Sequence, residues 1–424
     1  GTRGEGWRSD RSDALDGSSG ASLTWGRAYG SLTVPTLPGS GGGTGDSYQN
    51  GSRGGGVVWL TLTGDLVLDG TLTANGQGNL GASSGTGSGG SVYVTCRTLQ
   101  GTTGKITANG GDGQSNQAGK CGAGGRIALW VNDPGADFSR FTGTVTAADA
   151  GTRSNTGTIY YQTAADNGNG ELLVLGSGDA GNGYSDTETR FGYGTGVASG
   201  DLADSTFRRL TIKNCGRAAV LSGQTLRVDE IVADAYRESS VIMLKGGVLE
   251  MSGDWTPEKM SVRAVYAGST IRLGADGDGT LTVTSSSSFF FNQALTVEGD
   301  VEVVSGGSII HSTASSVVAR NGVRLHVTGD MNVAAGGAVN VNGRGYAAKA
   351  GPGHPVVENY TARGGAHGGA AYDLAGVTTY GSVREPALWG SGGNTGAGGG
   401  EIGLTVDGTR EGATCEAFTQ ALAL

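Results

Sequence analysis

The sequence predicts an all-β fold, a right-handed parallel β-helix (solenoid) with glycine-rich loops, and three observations predict it. Glycine supplies 84 of the 424 residues while Pro supplies 7, against a usual glycine share of roughly 7%. Apolar residues alternate with polar ones over many short stretches. Those stretches belong to units that recur along the chain. Collagen would need Gly at every third position with abundant Pro, and disorder would need few aliphatic residues with dense charge. Neither description applies, so glycine here has a structural role. An array of β-sandwich domains is the alternative, because alternation does not distinguish parallel from antiparallel pairing.

The strands follow from period 2, which puts every second side chain on one face. Leu295, Val297, Val301 and Val303 alternate with Thr296, Glu298, Asp300 and Glu302. Val323, Leu325 and Val327 alternate with Arg324, His326 and Thr328, and Ile402, Leu404 and Val406 do the same near the end. Val92/Val94, Leu210/Ile212, Leu226/Val228 and Leu281/Val283 are shorter cases. Asn75-Gly76, Asn109-Gly110 and Asn342-Gly343 between them tolerate positive φ and mark corners.

Repetition is the strongest feature. Thr71–Gly78 (TLTANGQG) recurs as Lys105–Gly111 (KITANGG) and more loosely as Gly143–Ala148 (GTVTAA). Leu62–Leu68 (LTGDLVL) recurs as Val327–Val333 (VTGDMNV). A longer match joins the two ends: Tyr29-Gly-Ser31, Pro35, Leu37 and Gly39–Gly42 align with Tyr380-Gly-Ser382, Pro386, Leu388 and Gly390–Gly393. It continues as Gly54–Gly56, Leu60 and Leu62 against Gly398–Gly400, Leu404 and Val406, and the second copy stops at Gly408. One such unit cannot bury its apolar row alone, so neighbours must stack. Five regions result: a polar arm (1–20), a glycine-rich solenoid (21–200), plainer rungs (201–320), a second glycine-rich solenoid repeating the first (321–408), and a tail (409–424).

The net charge is −9 with no basic stripe, which excludes a nucleic-acid partner. No apolar run reaches the length of a membrane span. Cys96, Cys121, Cys215 and Cys415 are too few for a disulfide scaffold. Cys96–Cys121, in consecutive repeats, is the expected bridge if there is one; unpaired buried thiols are the alternative.

Gly-Ala-His-Gly-Gly (365–369), the Tyr-Gly-Ser segment at 380–393, Gly-Gly-Gly-Glu-Ile-Gly-Leu-Thr-Val (398–406) and Asp-Gly-Thr-Leu-Thr-Ala-Asn-Gly (69–76) carry a resemblance. So do Gly-Gly-Ser-Val-Tyr-Val (89–94) and Gly-Gly-Arg-Ile-Ala-Leu (124–129). With their copies they cover about half the chain, which resembles the glycine-rich β-helical repeat regions of very large secreted or cell-surface microbial proteins. The resemblance implies an extracellular or cell-surface setting and a structural role. It carries no catalytic residues, so the expectation is a protein that is not an enzyme.

Candidate chemistry is sparse. Asp276 and Asp278, in Asp-Gly-Asp-Gly, are the best calcium candidates but lack the later acidic ligand of an EF-hand loop; no resident cofactor is expected. His311, His326, His354 and His367 lack metal-ligand spacing. Trp25, Trp59, Trp130 and Trp389, with Tyr160 and Tyr161, are candidates for stacking on sugars. Asn50-Gly-Ser52 and Asn359-Tyr-Thr361 match the N-glycosylation sequon. Runs such as 85–90 and 396–400 suit close backbone packing, side-by-side polyglycine helices or open loops.

The truncated second copy suggests end-to-end assembly. A solenoid end exposes unpaired edges and apolar core, and a head-to-tail contact that does not close builds a filament. The expected interface is Ile402, Leu404, Val406, Phe418, Leu422 and Leu424, and the expected partner is a second copy in a homopolymer. The functional expectation is an extracellular filament, sheath or matrix subunit. A glycan-binding adhesin meeting surface glycans is the alternative, and a polysaccharide lyase or hydrolase the second alternative.

Overall fold

The computed structural model describes residues 29–42, 51–78, 85–112, 121–148, 156–176, 189–190, 204–234, 240–312, 322–354, 364–369, 379–384 and 388–408. They form an all-β protein with large, mostly parallel sheets. The helical content of the described residues is one short 3-10 turn, Ala164–Asp166, and no helix among them is long and apolar enough to cross a membrane. The chain divides into two compact units, Gly1–Val241 and Ile242–Leu424.

In the first unit Val57–Thr61 pairs in parallel with Ser91–Cys96, that strand with Arg126–Val131, and that strand with Thr158–Thr163. The register stacks like on like: Val92, Val94 and Cys96 lie beside Ile127, Leu129 and Val131, all six essentially without exposed surface. Each such side chain contributes about 1.5–3 kcal/mol relative to leaving it in water. The recurring TLTAN segments form a second ladder, with Thr71–Thr73 on Lys105–Thr107 on Thr144–Thr146. Ala74, Ala108 and Ala147 after them are all buried. At the corner the Asn75 Oδ1 accepts from Asn109 N (2.7 Å), and the Asn109 Oδ1 accepts from Ala148 N (2.9 Å). The loose third copy is therefore the third layer of the same stack.

Glycine is required here by space. A Cβ on Gly55, Gly89 or Gly124 would fall 1.9, 2.0 or 2.0 Å from the carbonyl oxygen of Ala74, Ala108 or Ala147. The next amides, Gly90 and Gly125, donate to Ala74 O and Ala108 O at 2.8 and 2.7 Å, and Gly157 N to Ala147 O at 2.7 Å. The buried backbone thus satisfies itself across layers, as buried polar groups must.

An antiparallel pair then reverses the chain: Thr158–Thr163 against Glu171–Leu175. Asp166 Oδ2 accepts from the amide and hydroxyl of Thr163, both at 2.8 Å, and Asn167 takes the left-handed conformation (φ 49°), a role Asn accepts more readily than most residues. Two things change at this hairpin. Strand direction inverts, and so does the buried face. Leu173 sits opposite Ile159, on the face of the first core, while Leu172 sits opposite Tyr160. Beyond the hairpin Leu172 and Val174 are the fully buried residues, in register with Leu210 and Ile212 of Asp204–Lys213. That strand pairs in parallel with Thr225–Ala233.

In the second unit Val248–Met251, Ser269–Leu273, Leu295–Glu298, Val323–Val327 and Ile402–Val406 form one parallel ladder. Ser261–Tyr266, Ser288–Phe291, Ser308–Ile310 and Ala338–Val339 form another, and Thr280–Val283, Asp300–Val303 and Met331–Val333 a third. The alternation across 295–303, unbroken in sequence, is cut at Gly299 (φ 141°), which sends its halves into different sheets. Phe289, Phe291, Val297, Val301 and Ile309 are buried between the ladders.

The expected Cys96–Cys121 bridge does not form: Cys96, Cys121 and Cys215 are buried thiols. Cys96 ends its strand beside Val131, whereas Cys121 precedes the start of the neighbouring strand at Arg126. Consecutive repeats stack, but these two positions lie at opposite ends of the stacked strands. Burial pushes the Cys96 thiol up to about 11, so it resists oxidation.

Candidate functional site

The sequence match between 29–62 and 380–406 is also a structural match. The Tyr29 hydroxyl donates to Pro38 O (2.7 Å) and meets Ser40 Oγ (2.9 Å). The Tyr380 hydroxyl donates to Trp389 O and receives from Ser391 Oγ (2.8 Å), the same positions of the second copy. Gly39 N donates to Gly55 O, and Gly390 N to Gly399 O, each at 2.8 Å. Each copy folds into the same tyrosine-held loop and then enters a strand.

Those strands, Val57–Thr61 and Ile402–Val406, each end a sheet. Val57–Thr61 pairs only with Ser91–Cys96, and Ile402–Val406 only with Val323–Val327, among the described residues. Val57, Trp59, Ile402 and Val406 are 39%, 56%, 39% and 38% exposed. Leu62 N donates to Thr95 O and Ser91 N to Gly56 O. By the alternation of a parallel ladder, the amides of Val57, Trp59 and Thr61 then point to the open side. Asp407 N donates to Val327 O, which leaves the amides of Ile402, Leu404 and Val406 facing outward. An ion pair of Arg324 with Glu401 (3.2 Å) and a hydrogen bond between His326 Nε2 and Asp407 Oδ2 (2.8 Å) pin the latter strand to its neighbour. Phe418, Leu422 and Leu424, also expected at this interface, lie outside the described residues.

The four tryptophans that are candidates for stacking have separate fates. Trp25 lies outside the described residues. Trp59 is open to solvent on its edge strand, edge-on to Tyr93 (5.6 Å). Trp130 Nε1 donates to Thr33 O (2.9 Å), under the same 29–42 segment whose Tyr29 carbonyl receives Nε of the buried Arg126 (2.9 Å). Trp389 is 2% exposed, stacked on His311 (6.2 Å, 15°) and edge-on to Tyr346. A ring this buried has no face open to a sugar, so packing takes the place of the expected stacking role. His311 is fully buried; burial lowers its pKa and its Nε2 has no hydrogen-bond partner.

Asp276 and Asp278 lie exposed in the turn between Ser269–Leu273 and Thr280–Val283. No group of three or more His, Cys, Asp or Glu disposed to hold a metal occurs among the described residues. His354 and His367 do not meet: His354 Nδ1 is 2.7 Å from Gly351 O, and the His367 ring packs edge-on to Tyr380 at 4.7 Å.

Sequence reasoning did not assemble one feature, a cleft of about 420 Å³ beside the hairpin, lined by Asp137, Phe138, Phe141, Tyr161, Thr163, Asp166, Glu171 and Arg208 among others. Tyr161 stands out in the sequence, but Phe138, Phe141 and Arg208 lie 20 to 47 residues from it along the chain. The Asp166-Asn167-Gly168 turn between two apolar runs was the available signal for the hairpin that gathers them.

No protein-family model matches this chain, and neither a curated protein nor a solved structure matches it.

Proposed function

We propose that the chain is a right-handed parallel β-helix that serves as an extracellular or cell-surface structural subunit, assembling end to end with further copies of itself. One observation carries this reading: the two sheet-ending strands are copies of one another with complementary open edges. The stacking of repeats at a constant register and the right-handed preference of parallel crossovers support the solenoid. The resemblance to secreted repeat regions supports the setting.

If Ile402–Val406 of one copy lies beside Val57–Thr61 of the next in the alignment of the internal repeat, Ile402 meets Val58, Leu404 meets Leu60 and Val406 meets Leu62. Amides of Ile402, Leu404 and Val406 then face carbonyls of Val57, Trp59 and Thr61, continuing the ladder with its apolar row unbroken.

Two measurements test this. Negative-stain microscopy at rising concentration should show fibres of constant axial repeat, and Val406→Pro, which removes an outward amide while leaving the inner ladder bonds, should abolish them. Mixing Thr61→Cys with Thr405→Cys protein should yield an intermolecular disulfide, since both side chains face outward at the same register. Protein that remains monomeric at high concentration and forms no such crosslink would overturn the reading.

A further inference from the structure

We propose that the cleft beside the 158–175 hairpin is a binding site for a neutral oligosaccharide. The proposal stands apart from end-to-end assembly, because the cleft lies wholly within the first unit and uses none of the edge-strand residues.

The cleft exists because the chain changes its buried face at the hairpin. The first core runs through Leu129 and Ile159 and ends at Tyr161 and Leu173, since Leu172 and Val174 serve the opposite face. What closes that core is aromatic. Phe138 meets Tyr161 edge-on at 4.9 Å. Phe141 lies against two glycines: a Cβ on Gly104 or Gly143 would come within 2.8 or 2.6 Å of its ring. These rings form one wall of an open depression of about 420 Å³, within the range of small-ligand sites.

The rest of the lining is polar, and each of its carboxylates already accepts a hydrogen bond. Asp166 Oδ1 holds Arg208 Nε at 2.8 Å. Glu171 Oε1 accepts from Thr211 Oγ1 (2.6 Å), and Glu171 Oε2 lies 3.8 Å from Arg209. Asp137 Oδ1 accepts from the amide and hydroxyl of Ser139 at 3.0 and 2.6 Å. Burial raises the Asp166 pKa, but hydrogen bonds from Thr163 and Arg208 outweigh it and hold the carboxyl below its ordinary value. That is the opposite of a poised general acid.

Arg208 is the only cation among the lining residues and is paired with Asp166, so the lining keeps an excess of carboxylates and offers no free cation to an anionic ligand. A carboxylate keeps acceptor capacity after one or two bonds, and a guanidinium keeps spare donors. The combination of aromatic faces, fixed acceptors and a spare guanidinium donor complements a ligand with C–H faces and many neutral hydroxyls. A saccharide has that chemistry. A polyanionic sugar would instead approach three carboxylates.

The test is calorimetric titration of the full chain with cellohexaose, xylohexaose and mannohexaose, with hexagalacturonate as the acidic contrast. At least one neutral hexasaccharide should bind, and Phe138→Ala and Phe138→Leu should each weaken that binding at least tenfold. The Leu variant retains apolar contact with the core and so carries the test if the Ala variant does not fold. Trp59→Ala, on the distant edge strand, should bind as wild type. The proposal falls if no neutral hexasaccharide binds, if hexagalacturonate binds more tightly, if both Phe138 variants bind as wild type, or if Trp59→Ala abolishes binding.

Discussion

The layers within residues 57–163 and the layers within residues 204–310 solve the same problem with different materials. In the first, residues that touch across layers are 32 to 39 residues apart in sequence, as Arg126–Thr158, Thr73–Thr107 and Lys105–Thr144 show. In the second the interval is 20 to 27, as in Thr280–Asp300, Arg209–Glu230, Arg272–Glu298 and Ser261–Ser288. The longer interval of the first set holds glycine segments, whose backbones sit on the backbones of the layers beside them. The second set fills its interior with side chains such as Phe289, Phe291 and Ile271 and laces its surface with charge. Glycine abundance therefore marks where main chain packs on main chain, and the shorter period marks where it does not.

Four substitutions sharpen or break that contrast. Phe289→Ala, deep in the second set, should cost about 3–5 kcal/mol in chemical denaturation, the range for truncating a buried aromatic. Gly124→Ala should cost roughly 3 kcal/mol, because its Cβ would lie 2.0 Å from Ala147 O and 2.4 Å from Gly157 N, both backbone atoms that yield poorly. A neutral outcome there would remove the steric account of the glycine segments. Gly223→Ala in the second set faces open space but has φ +77°, so its cost should be conformational alone, about 1 kcal/mol. Replacing Arg272 by Met should change stability by no more than about 1 kcal/mol, because the side chain is a third exposed and such pairs are screened; the difference should shrink in high salt.

The pH dependence separates the units. His311 is buried with a lowered pKa, so the folded protein holds it neutral while the unfolded chain protonates it. Stability from this residue is present above its unfolded value, about 6.5, and declines as pH falls toward the lower folded value. Thermal melts of His311→Leu should be flatter than wild type between pH 6.5 and 5, a window above most carboxylate titrations. Identical slopes would mean that His311 titrates normally.

The sequence was readable where one face is buried. Val92/Val94, Leu281/Val283 and Val323/Leu325/Val327 lie in strands with those residues inward, and the TLTAN repeats stack as their similarity implies. Reading failed where local pattern and three-dimensional role diverge. The 295–303 alternation spans a corner because Gly299 permits a turn without breaking the phase. The 158–175 hairpin was missed because Ile159 and Tyr160 are buried on opposite faces, so no alternation marks either strand. The cleft draws on residues from 137 to 208, brought together by that hairpin. Cysteines in consecutive repeats were paired by sequence proximity, whereas stacking brings together equal positions of a layer.

The hairpin also bears on the order of events as the protein forms. Tyr161 and Glu171 are neighbours in the sheet though ten residues apart in the chain, while the parallel layers close intervals two to four times longer. Closure entropy grows with loop length, and local contacts form soonest. The hairpin is thus the expected nucleus, from which one ladder is added backward toward 57 and the other forward toward 233. Leu172→Ala should slow refolding nearly in proportion to its destabilisation, while Val92→Ala should chiefly accelerate unfolding. Stopped-flow measurements on the two variants would reveal whether the molecule grows outward from its point of reversal.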